Sequence, residues 1–242
     1  RTGMTRQTKR LFSNQGKLMV LAMDHAQGGL MEGLEKPLDL ARRHADSLLD
    51  GFLMNVGPAA VMQEPALLGK KLLLRAGFGG SMQATDFTNV HRNHVSPQTA
   101  LRLGADAVVM MVTIGGADYQ SLQDAASAID AYHQLGIPVV AEILASDFSK
   151  TMTYDIQANG ARIAAELGAD VVKAFYTENF DKVVAYCPVP IILAGGPKDQ
   201  DIASVARRAV DVGVKGFAFG RNLFQNPQAG QLIRTLDGIL RG

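Results

Sequence analysis

Short hydrophobic runs recur along the chain, and turn residues bound each of them. The runs contain few polar positions, which is the pattern of parallel strands that are covered on both faces. Segments long enough for helices lie between them, so strands and helices alternate. We predict strands at residues 18–24, 51–56, 72–76, 107–114, 138–144, 171–175, 190–194 and 216–219, and helices at 37–49, 118–135, 153–167, 199–212 and 229–240.

The junctions between helix and strand also repeat. The sequence LGADAVV at residues 103–109 is echoed by LGADVVK at residues 167–173, where the glycine ends a helix and the valines begin a strand. A doubly wound open sheet is the main alternative. Eight similar units without a dinucleotide-binding motif after the first strand favour a closed barrel. We therefore predict an α/β fold, a single (βα)8 TIM barrel over residues 1–242, with residues 1–12 as an N-terminal arm.

Composition and charge exclude several classes of partner. The 24 basic and 23 acidic side chains leave a net charge of +1, which favours neither nucleic acid nor an anionic membrane as a partner. The longest apolar run, residues 107–114, is far shorter than the ~20 residues of a membrane span. Cys187 is the only cysteine, and no signal-peptide pattern is present. We expect a cytoplasmic protein that binds neither nucleic acid nor membrane.

Reacting groups in a barrel of this kind lie at the carboxyl ends of the strands and in the loops that follow. His91 and His94 lie in a polar stretch without a cysteine or carboxylate motif, so we predict no metal site. The strand-end rule selects Asp24, His25, Asn55, Arg75, Glu142, Lys173, Gly195, Gly196, Gly220 and Arg221 as candidate site residues.

Lys173 is the sharpest signal among them, because both neighbours on each side are apolar. Side chains alternate along a strand, so if this face lines the barrel, the amine is desolvated and its pKa falls. A free amine can attack a carbonyl group. The alternative is a lysine that lies along the barrel wall or pairs with a carboxylate. The residues alone leave both interpretations open.

Two carboxylates and an arginine are expected at the same end of the barrel. Asp24 either holds the lysine and moves protons or is bonded to loop amides. An unpartnered buried glutamate is costly, so Glu142 is either an acid/base with a raised pKa or half of a structural pair with Arg75 or Lys173. Arg75 either keeps Asp24 ionised or binds an anionic group of the substrate.

Glycine-rich turns follow both the seventh and the eighth predicted strand. Gly195 and Gly196 precede Lys198, and Gly220 precedes Arg221. Turns at these two strand ends present backbone amides to phosphate groups, and a basic side chain adds a charge-assisted contact. The pair of turns predicts a substrate that carries a phosphate.

Taken together, these residues resemble the class I aldolases of the DeoC/FbaB/LacD superfamily, (βα)8 enzymes that work through a lysine Schiff base. The matching segments are LAMDH at residues 21–25, GADVVK at 168–173, ILAGGPK at 192–198 and GRNLFQ at 220–225. Within the superfamily, the sequence is nearest in style to the thiolases that act on autoinducer-2 phosphate, 3-hydroxy-5-phosphonooxypentane-2,4-dione.

The resemblance implies roles for individual residues. It places the Schiff base on Lys173 and an acid/base or orienting role on Asp24. It also implies an enzyme that needs no metal or other cofactor and that forms a homo-oligomer, in this superfamily commonly a ring of five or ten subunits. The phosphate-binding residues that it implies are Gly195, Gly196, Gly220 and Arg221.

The chain departs from this pattern on the fifth strand. Archaeal-type fructose-bisphosphate aldolases of the group carry an acid/base tyrosine there, whereas the aligned position here is Leu144. Glu142, two residues earlier on the same face, is our hypothetical replacement acid. The departure argues against cleavage of fructose 1,6-bisphosphate by the standard route and leaves a related phosphorylated keto sugar or diketone as the substrate.

The predicted function is a carbon–carbon lyase of the class I aldolase type. The Lys173 amine attacks the ketone of a small phosphorylated ketose or dicarbonyl, Asp24 or Glu142 moves the protons, and His25 and Arg75 contact the substrate. Three alternatives stay open: acyl transfer to coenzyme A from a phosphorylated diketone, an isomerase or synthase that forms no imine, and a sugar-phosphate sensor without turnover.

Overall fold

Parallel strands form a closed barrel in which each strand pairs with its neighbours in chain order. The structure, a computed structural model, describes residues 5–62, 64–198 and 200–242, and within these ranges the barrel has eight strands. The predicted (βα)8 barrel is therefore confirmed. The barrel strands are β1 (Leu18–Ala22), β2 (Gly51–Met54), β3 (Lys71–Arg75), β6 (Ala107–Ile114), β7 (Val139–Ala145), β8 (Val171–Ala174), β9 (Ile191–Ala194) and β10 (Gly216–Phe219). The strands β4 (Gly77–Phe78) and β5 (Arg92–Asn93) lie outside the barrel.

Helices cover the outside of the barrel. They are α2 (Pro37–Arg43), α3 (Val56–Val61), α4 (Pro65–Leu68), α5 (Pro97–Arg102), α6 (Tyr119–Gln134), α7 (Tyr154–Glu166), α8 (Phe180–Tyr186), α9 (Ile202–Asp211), α10 (Arg221–Phe224) and α11 (Ala229–Arg241). The helix predicted from residue 199 begins at Ile202, because the Asp201 side chain accepts the Ser204 N–H and caps it. Residue 199 itself lies outside the described residues. No helix in the described ranges is both long and apolar enough to cross a membrane.

Two apolar layers hold the barrel together. The outer faces of the strands pack against the helices, and the inner faces pack against one another, as expected when side chains alternate along each strand. The inner layer includes Ala22, Leu73, Val140 and Val171. Two residues further along the same strands, the inward positions are polar: Asp24, Arg75, Glu142 and Lys173.

The N-terminal segment differs from the predicted arm. Residues 6–11 form the helix α1 (Arg6–Leu11), which the Thr5 side chain caps. Leu11 and Phe12 are buried and belong to the apolar layer inside the barrel. Residues 1–4 lie outside the described part of the chain. The described part of this segment is therefore a helix that closes the amino-terminal end of the barrel rather than an arm.

A long connection joins β3 to β6. It contains the short antiparallel strands β4 (Gly77–Phe78) and β5 (Arg92–Asn93), with residues 79–91 between them. We call residues 79–91 the cover loop, because they lie across the carboxyl ends of the barrel strands. The loop is tied to the segment after β1, where Gln27 Nε2 donates to the Gly80 carbonyl at 2.7 Å. It is tied to the segment after β7, where Thr88 Oγ1 donates to the Ser146 carbonyl at 2.8 Å.

Candidate active site

A cavity of about 450 Å³ opens at the carboxyl ends of the strands, beneath the cover loop. Asn55 is the N-cap residue of α3 and is not among the described residues that line the cavity. The other residues selected from the sequence all line it: Asp24, His25, Arg75, Glu142, Lys173, Gly195, Gly196, Gly220 and Arg221.

The register of two neighbouring strands brings Lys173 and Glu142 together. These residues are directly paired across β7 and β8, so their side chains leave the sheet side by side. Lys173 Nζ lies 2.8 Å from Glu142 Oε1, and both residues are buried. The lysine is therefore ion-paired, as one of the two interpretations of the sequence expects, and it also lines the cavity.

Arg75 links the two carboxylates. Its Nε donates to Asp24 Oδ2 at 2.6 Å, and its Nη2 donates to Glu142 Oε2 at 2.6 Å and also contacts Asp24. Within the described ranges, its Nη1 has no hydrogen-bond partner. Burial alone would lower the pKa of Arg75, but the two carboxylates outweigh it and raise the pKa. The guanidinium stays charged, and one of its buried donors is unpaired within the described ranges.

Both carboxylates are held in the ionised form. Burial would raise the pKa of Glu142, but the charges of Lys173 and Arg75 and their hydrogen bonds lower it to about 2. Burial likewise opposes ionisation of Asp24, and Arg75, Lys173 and His25 together lower its pKa. The raised pKa considered for Glu142 as an acid is therefore wrong, because two cations lie against its carboxylate.

His25 lies between the carboxylate cluster and the turn after β10. Its Nδ1 is 4.0 Å from Asp24 Oδ1, and its ring packs edge-on against Phe224. Burial lowers the pKa of His25, so the ring is neutral near pH 7. A Cβ at Gly220 would lie 2.6 Å from His25 Cε1, so glycine at this position lets the turn approach the histidine.

The two glycine-rich turns meet at one side of the cavity. Asn222 Nδ2 donates to the Pro197 carbonyl at 3.3 Å and so joins the turn after β9 to that after β10. A Cβ at Gly195 would lie 2.3 Å from Asn222 Oδ1, and Gly196 has φ of +67°. The positive φ favours glycine at position 196, and a side chain at position 195 would displace Asn222. Lys198 and Arg221 also line this side of the cavity, which places two cations beside the turns.

Apolar side chains form much of the remaining wall. Leu144, Met111, Met152 and Phe175 all line the cavity. Leu144 occupies the position at which the resemblance expects an acid/base tyrosine, so no side chain at that position can donate or accept a proton.

His91 is a cavity residue that the sequence analysis assigned no role. It ends the cover loop, is 3% exposed and lines the cavity. Its polar surroundings in the sequence gave no sign of burial. The one available signal was the length of the connection between β3 and β6, because connections this long in compact domains are often functional.

Comparisons with known proteins agree with this geometry. The family model described as "DeoC/LacD family aldolase" matches residues 18–226. The chain belongs to this aldolase family. It is also similar to the 3-hydroxy-5-phosphonooxypentane-2,4-dione thiolase of Klebsiella pneumoniae, with 34% identity over 98% of this chain and 81% of the relative. The thiolase of the same description from Escherichia coli K12 is 32% identical over 98% of this chain and 82% of the relative.

Solved structures of aldolases have the same fold. One described as a Schiff-base-forming fructose-1,6-bisphosphate aldolase has a TM-score of 0.86 and 26% identity, and covers 97% of this chain and 98% of the other. Another is an archaeal fructose-1,6-bisphosphate aldolase whose catalytic lysine is bound to a carbinolamine intermediate, with a TM-score of 0.86 and 26% identity over 98% of both chains. The family member described here is accordingly a carbon–carbon lyase of the class I aldolase type.

Proposed function

We propose that Lys173 forms a Schiff base with the ketone of a small phosphorylated ketose or dicarbonyl, and that the neighbouring carbon–carbon bond then breaks. The observation that carries this proposal is a buried ε-amine on the wall of a cavity at the carboxyl end of an aldolase barrel. An iminium ion at this position withdraws electrons from the bond that breaks.

Glu142 and Arg75 position the lysine. The Lys173 ammonium must lose a proton before it attacks a carbonyl, and Glu142 Oε1, at 2.8 Å, is the adjacent acceptor. Arg75 fixes the carboxylates of Glu142 and Asp24 on either side. In this arrangement Glu142 is a carboxylate that takes a proton from the amine, and Asp24 orients the cluster together with His25.

The turns after β9 and β10 bind the phosphate of the substrate in this proposal. Gly195, Gly196 and Gly220 carry no side chain of their own that would keep an anion away from the backbone amide groups of the turns. Arg221, with Lys198 nearby, supplies the positive charge. The free Nη1 of Arg75 is a further donor for a substrate oxygen.

Acyl transfer to coenzyme A is a second candidate function. It is favoured by the similarity to relatives described as 3-hydroxy-5-phosphonooxypentane-2,4-dione thiolases, which extends over 98% of this chain. The two candidates share the Lys173 imine and differ in the acceptor of the released fragment. Turnover of that diketone only when coenzyme A is added would favour the second candidate.

Reductive trapping tests the proposal. The protein is mixed with sodium borohydride and, in turn, dihydroxyacetone phosphate, fructose 1,6-bisphosphate and 3-hydroxy-5-phosphonooxypentane-2,4-dione, and its peptides are analysed by mass spectrometry. We expect a covalent adduct on Lys173 that is absent in Lys173→Arg, which keeps the charge but forms no imine. Lys182→Arg, on the exposed surface of α8, is the matched control and should trap normally. An active enzyme with an unlabelled Lys173 would overturn the mechanism.

A further inference from the structure

Two residues of α6 hold the backbone around His91 in place. The backbone N–H of His91 donates to Ser121 Oγ on α6 at 3.3 Å. Two residues later, both the backbone and the side-chain nitrogen of Asn93 donate to Asp124 Oδ2 at 2.8 Å. The end of the cover loop is thereby anchored to α6, and the imidazole is held at the cavity wall.

Both ring nitrogens of His91 are buried, and in the described ranges neither has a hydrogen-bond partner. Buried polar atoms in native proteins are nearly always paired, because an unpaired one keeps its full desolvation penalty. His91 itself is one of the residues that line the cavity, in a family of enzymes. A ligand that enters the cavity can supply the missing partners.

The charged groups around the ring favour its neutral form. Burial and the Arg75 guanidinium of β3 lower the pKa of His91 to about 4, while Glu142 of β7 acts in the opposite direction. On α6, the Asp124 carboxylate accepts hydrogen bonds from Asn93. At neutral pH the ring therefore has one nitrogen that accepts a proton and one that donates a hydrogen bond.

The carboxylates of the cavity floor are already engaged. Asp24 and Glu142 are ion-paired with Arg75, and Glu142 also with Lys173. Leu144 occupies the expected tyrosine position and cannot move a proton. His25 is the second neutral imidazole at the cavity, and its Nδ1 lies 4.0 Å from Asp24 Oδ1. Of the two rings, only that of His91 has both nitrogens buried without a hydrogen-bond partner within the described ranges.

We propose that His91 is a catalytic residue, the base that accepts the substrate hydroxyl proton when the carbon–carbon bond breaks. This rests on the proposed function. The hydroxyl O–H bond breaks as the imidazole N–H bond forms, and the O–H electron pair becomes the carbonyl bond of the leaving aldehyde. The electrons of the broken carbon–carbon bond form the enamine, and the iminium nitrogen receives the former C=N pair. The imidazolium then returns the proton to the enamine carbon, so no external oxidant or reductant is needed.

The reverse of this last step is directly measurable. With dihydroxyacetone phosphate in D₂O, an enzyme that forms the imine and then the enamine exchanges a carbon-bound hydrogen of the ketone for deuterium. NMR of the recovered ketone measures this exchange, and borohydride trapping measures the imine separately. In His91→Gln we expect trapping at Lys173 to be retained and the exchange rate to fall by about 100-fold or more.

Matched variants separate chemistry from structure. His94→Gln, three residues later and exposed, should exchange at the rate of the unmodified protein. In His91→Ala, added imidazole should restore part of the exchange, which a purely structural role of His91 would not allow. His91→Asn is the second variant should the glutamine substitution fail to fold, and an adduct on Lys173 shows that the cavity has assembled.

The outcomes separate this inference from the proposed function. Trapping at Lys173 combined with unchanged exchange in His91→Gln would overturn the role of His91 and leave the Schiff base intact. If the unmodified protein traps none of the three ketone phosphates named above, the proposed function fails and the inference fails with it. If it traps a ketone other than dihydroxyacetone phosphate, the exchange is measured on that ketone.

Discussion

Two carboxylates and two cations meet at the floor of the cavity, and their formal charges cancel. Asp24, Glu142, Arg75 and Lys173 are all buried, and an isolated ion in such surroundings would cost several kcal/mol. Arg75 contacts both carboxylates, and Lys173 contacts one of them. Only Lys173 changes its charge during imine formation, so Glu142 is the group that most directly controls the change.

Replacement of Glu142 by glutamine tests this control. Glu142→Gln keeps the shape of the side chain but leaves one positive charge of the cluster uncompensated. We expect the protein to be destabilised by about 3 kcal/mol, and imine formation at Lys173 to slow by about 100-fold. Urea denaturation measures the first effect, and the time course of borohydride trapping measures the second.

The matched control for this substitution is Glu166→Gln on α7. Glu166 forms an exposed ion pair with Arg162, so its loss should change stability by at most about 1 kcal/mol. Equal effects of the two substitutions would contradict the special position of Glu142.

The buried imidazole of His91 makes stability depend on pH. Its pKa is lowered from 6.5 to about 4 in the folded protein, so between these values the unfolded chain binds more protons than the folded one. Above pH ~6.5 the ring is neutral in both the folded and the unfolded chain, and stability is highest. As pH falls from ~6.5 towards 4, the unfolded chain takes up a proton, and the free energy of unfolding decreases by about 3 kcal/mol in total. We expect His91→Gln to flatten the dependence of unfolding free energy on pH in this window.

Urea denaturation at a series of pH values checks this prediction. His94→Gln is the control, because His94 is exposed. A variant at residue 91 whose pH profile parallels that of the unmodified protein would show that the ring is not held neutral.

The ionisable residues on strands were predictable and the one on a loop was not. Lys173 and Glu142 stand out from the sequence because charged side chains interrupt runs of apolar residues. The sequence left two states of Glu142 open, and the structure shows the paired one, in which Arg75 of β3 and Lys173 of β8 both contact the carboxylate. His91 was missed because its sequence neighbours are polar, and only the path of the cover loop buries it.

The cover loop, which follows β3, covers the cavity and contacts the segments after β1 and β7. Gln27 binds it to the segment after β1, and Phe87 packs against Phe148 in the segment after β7. The Thr88 hydroxyl donates to the Ser146 carbonyl at 2.8 Å, and Thr88 is buried. These contacts hold His91 at the cavity, so loosening the loop should affect the site without unfolding the barrel.

Removal of the Thr88 hydroxyl tests whether the cover loop can loosen while the barrel stays folded. In Thr88→Val the side chain keeps its shape, but the Ser146 carbonyl loses its donor, which is worth about 1 kcal/mol. We expect the amides of residues 79–91 to exchange with deuterium about 5-fold faster, while those of the barrel strands are unchanged. Hydrogen exchange followed by mass spectrometry measures both.

Thr235→Val on α11 is the corresponding control. Its hydroxyl also donates to a carbonyl, that of Gln231, but on an exposed helix. Faster exchange in the barrel strands of Thr88→Val would contradict an independently opening loop.

The barrel strands were more predictable from the sequence than the segments that connect them. Each strand buries a continuous apolar run, and such runs are visible in the sequence. The ribbon of β4 and β5 has two residues in each strand, which is too short for any periodicity. The helix predicted at residues 37–49 ends at Arg43, because the chain turns back towards β2 over the last residues of the run.

The two ends of the barrel have different roles, one in the chemistry and the other in the stability of the fold. The carboxyl ends of the strands carry the charged cluster and the cavity, while the amino ends are closed by α1 and the residues after it. Thr8 donates to Asp170 Oδ1 at 3.1 Å, just before β8 begins, and so docks α1 at that end. The expected ring of five or ten subunits stays a prediction.

The closed amino end gives a substitution that should weaken the fold and leave the chemistry intact. Leu11 is buried in the apolar layer inside the barrel, at the opposite end from Lys173. The sequence alone did not reveal this, because Leu11 ends a short helix that is otherwise polar. Leu11→Ala should leave a cavity and lower the free energy of unfolding by about 2–5 kcal/mol, measured in urea, with unchanged borohydride trapping at Lys173. Leu101→Ala, at a position that is 60% exposed on α5, should change stability by no more than about 0.5 kcal/mol. If Leu11→Ala were as stable as Leu101→Ala, the segment before β1 would be an arm after all, and the barrel would close without it.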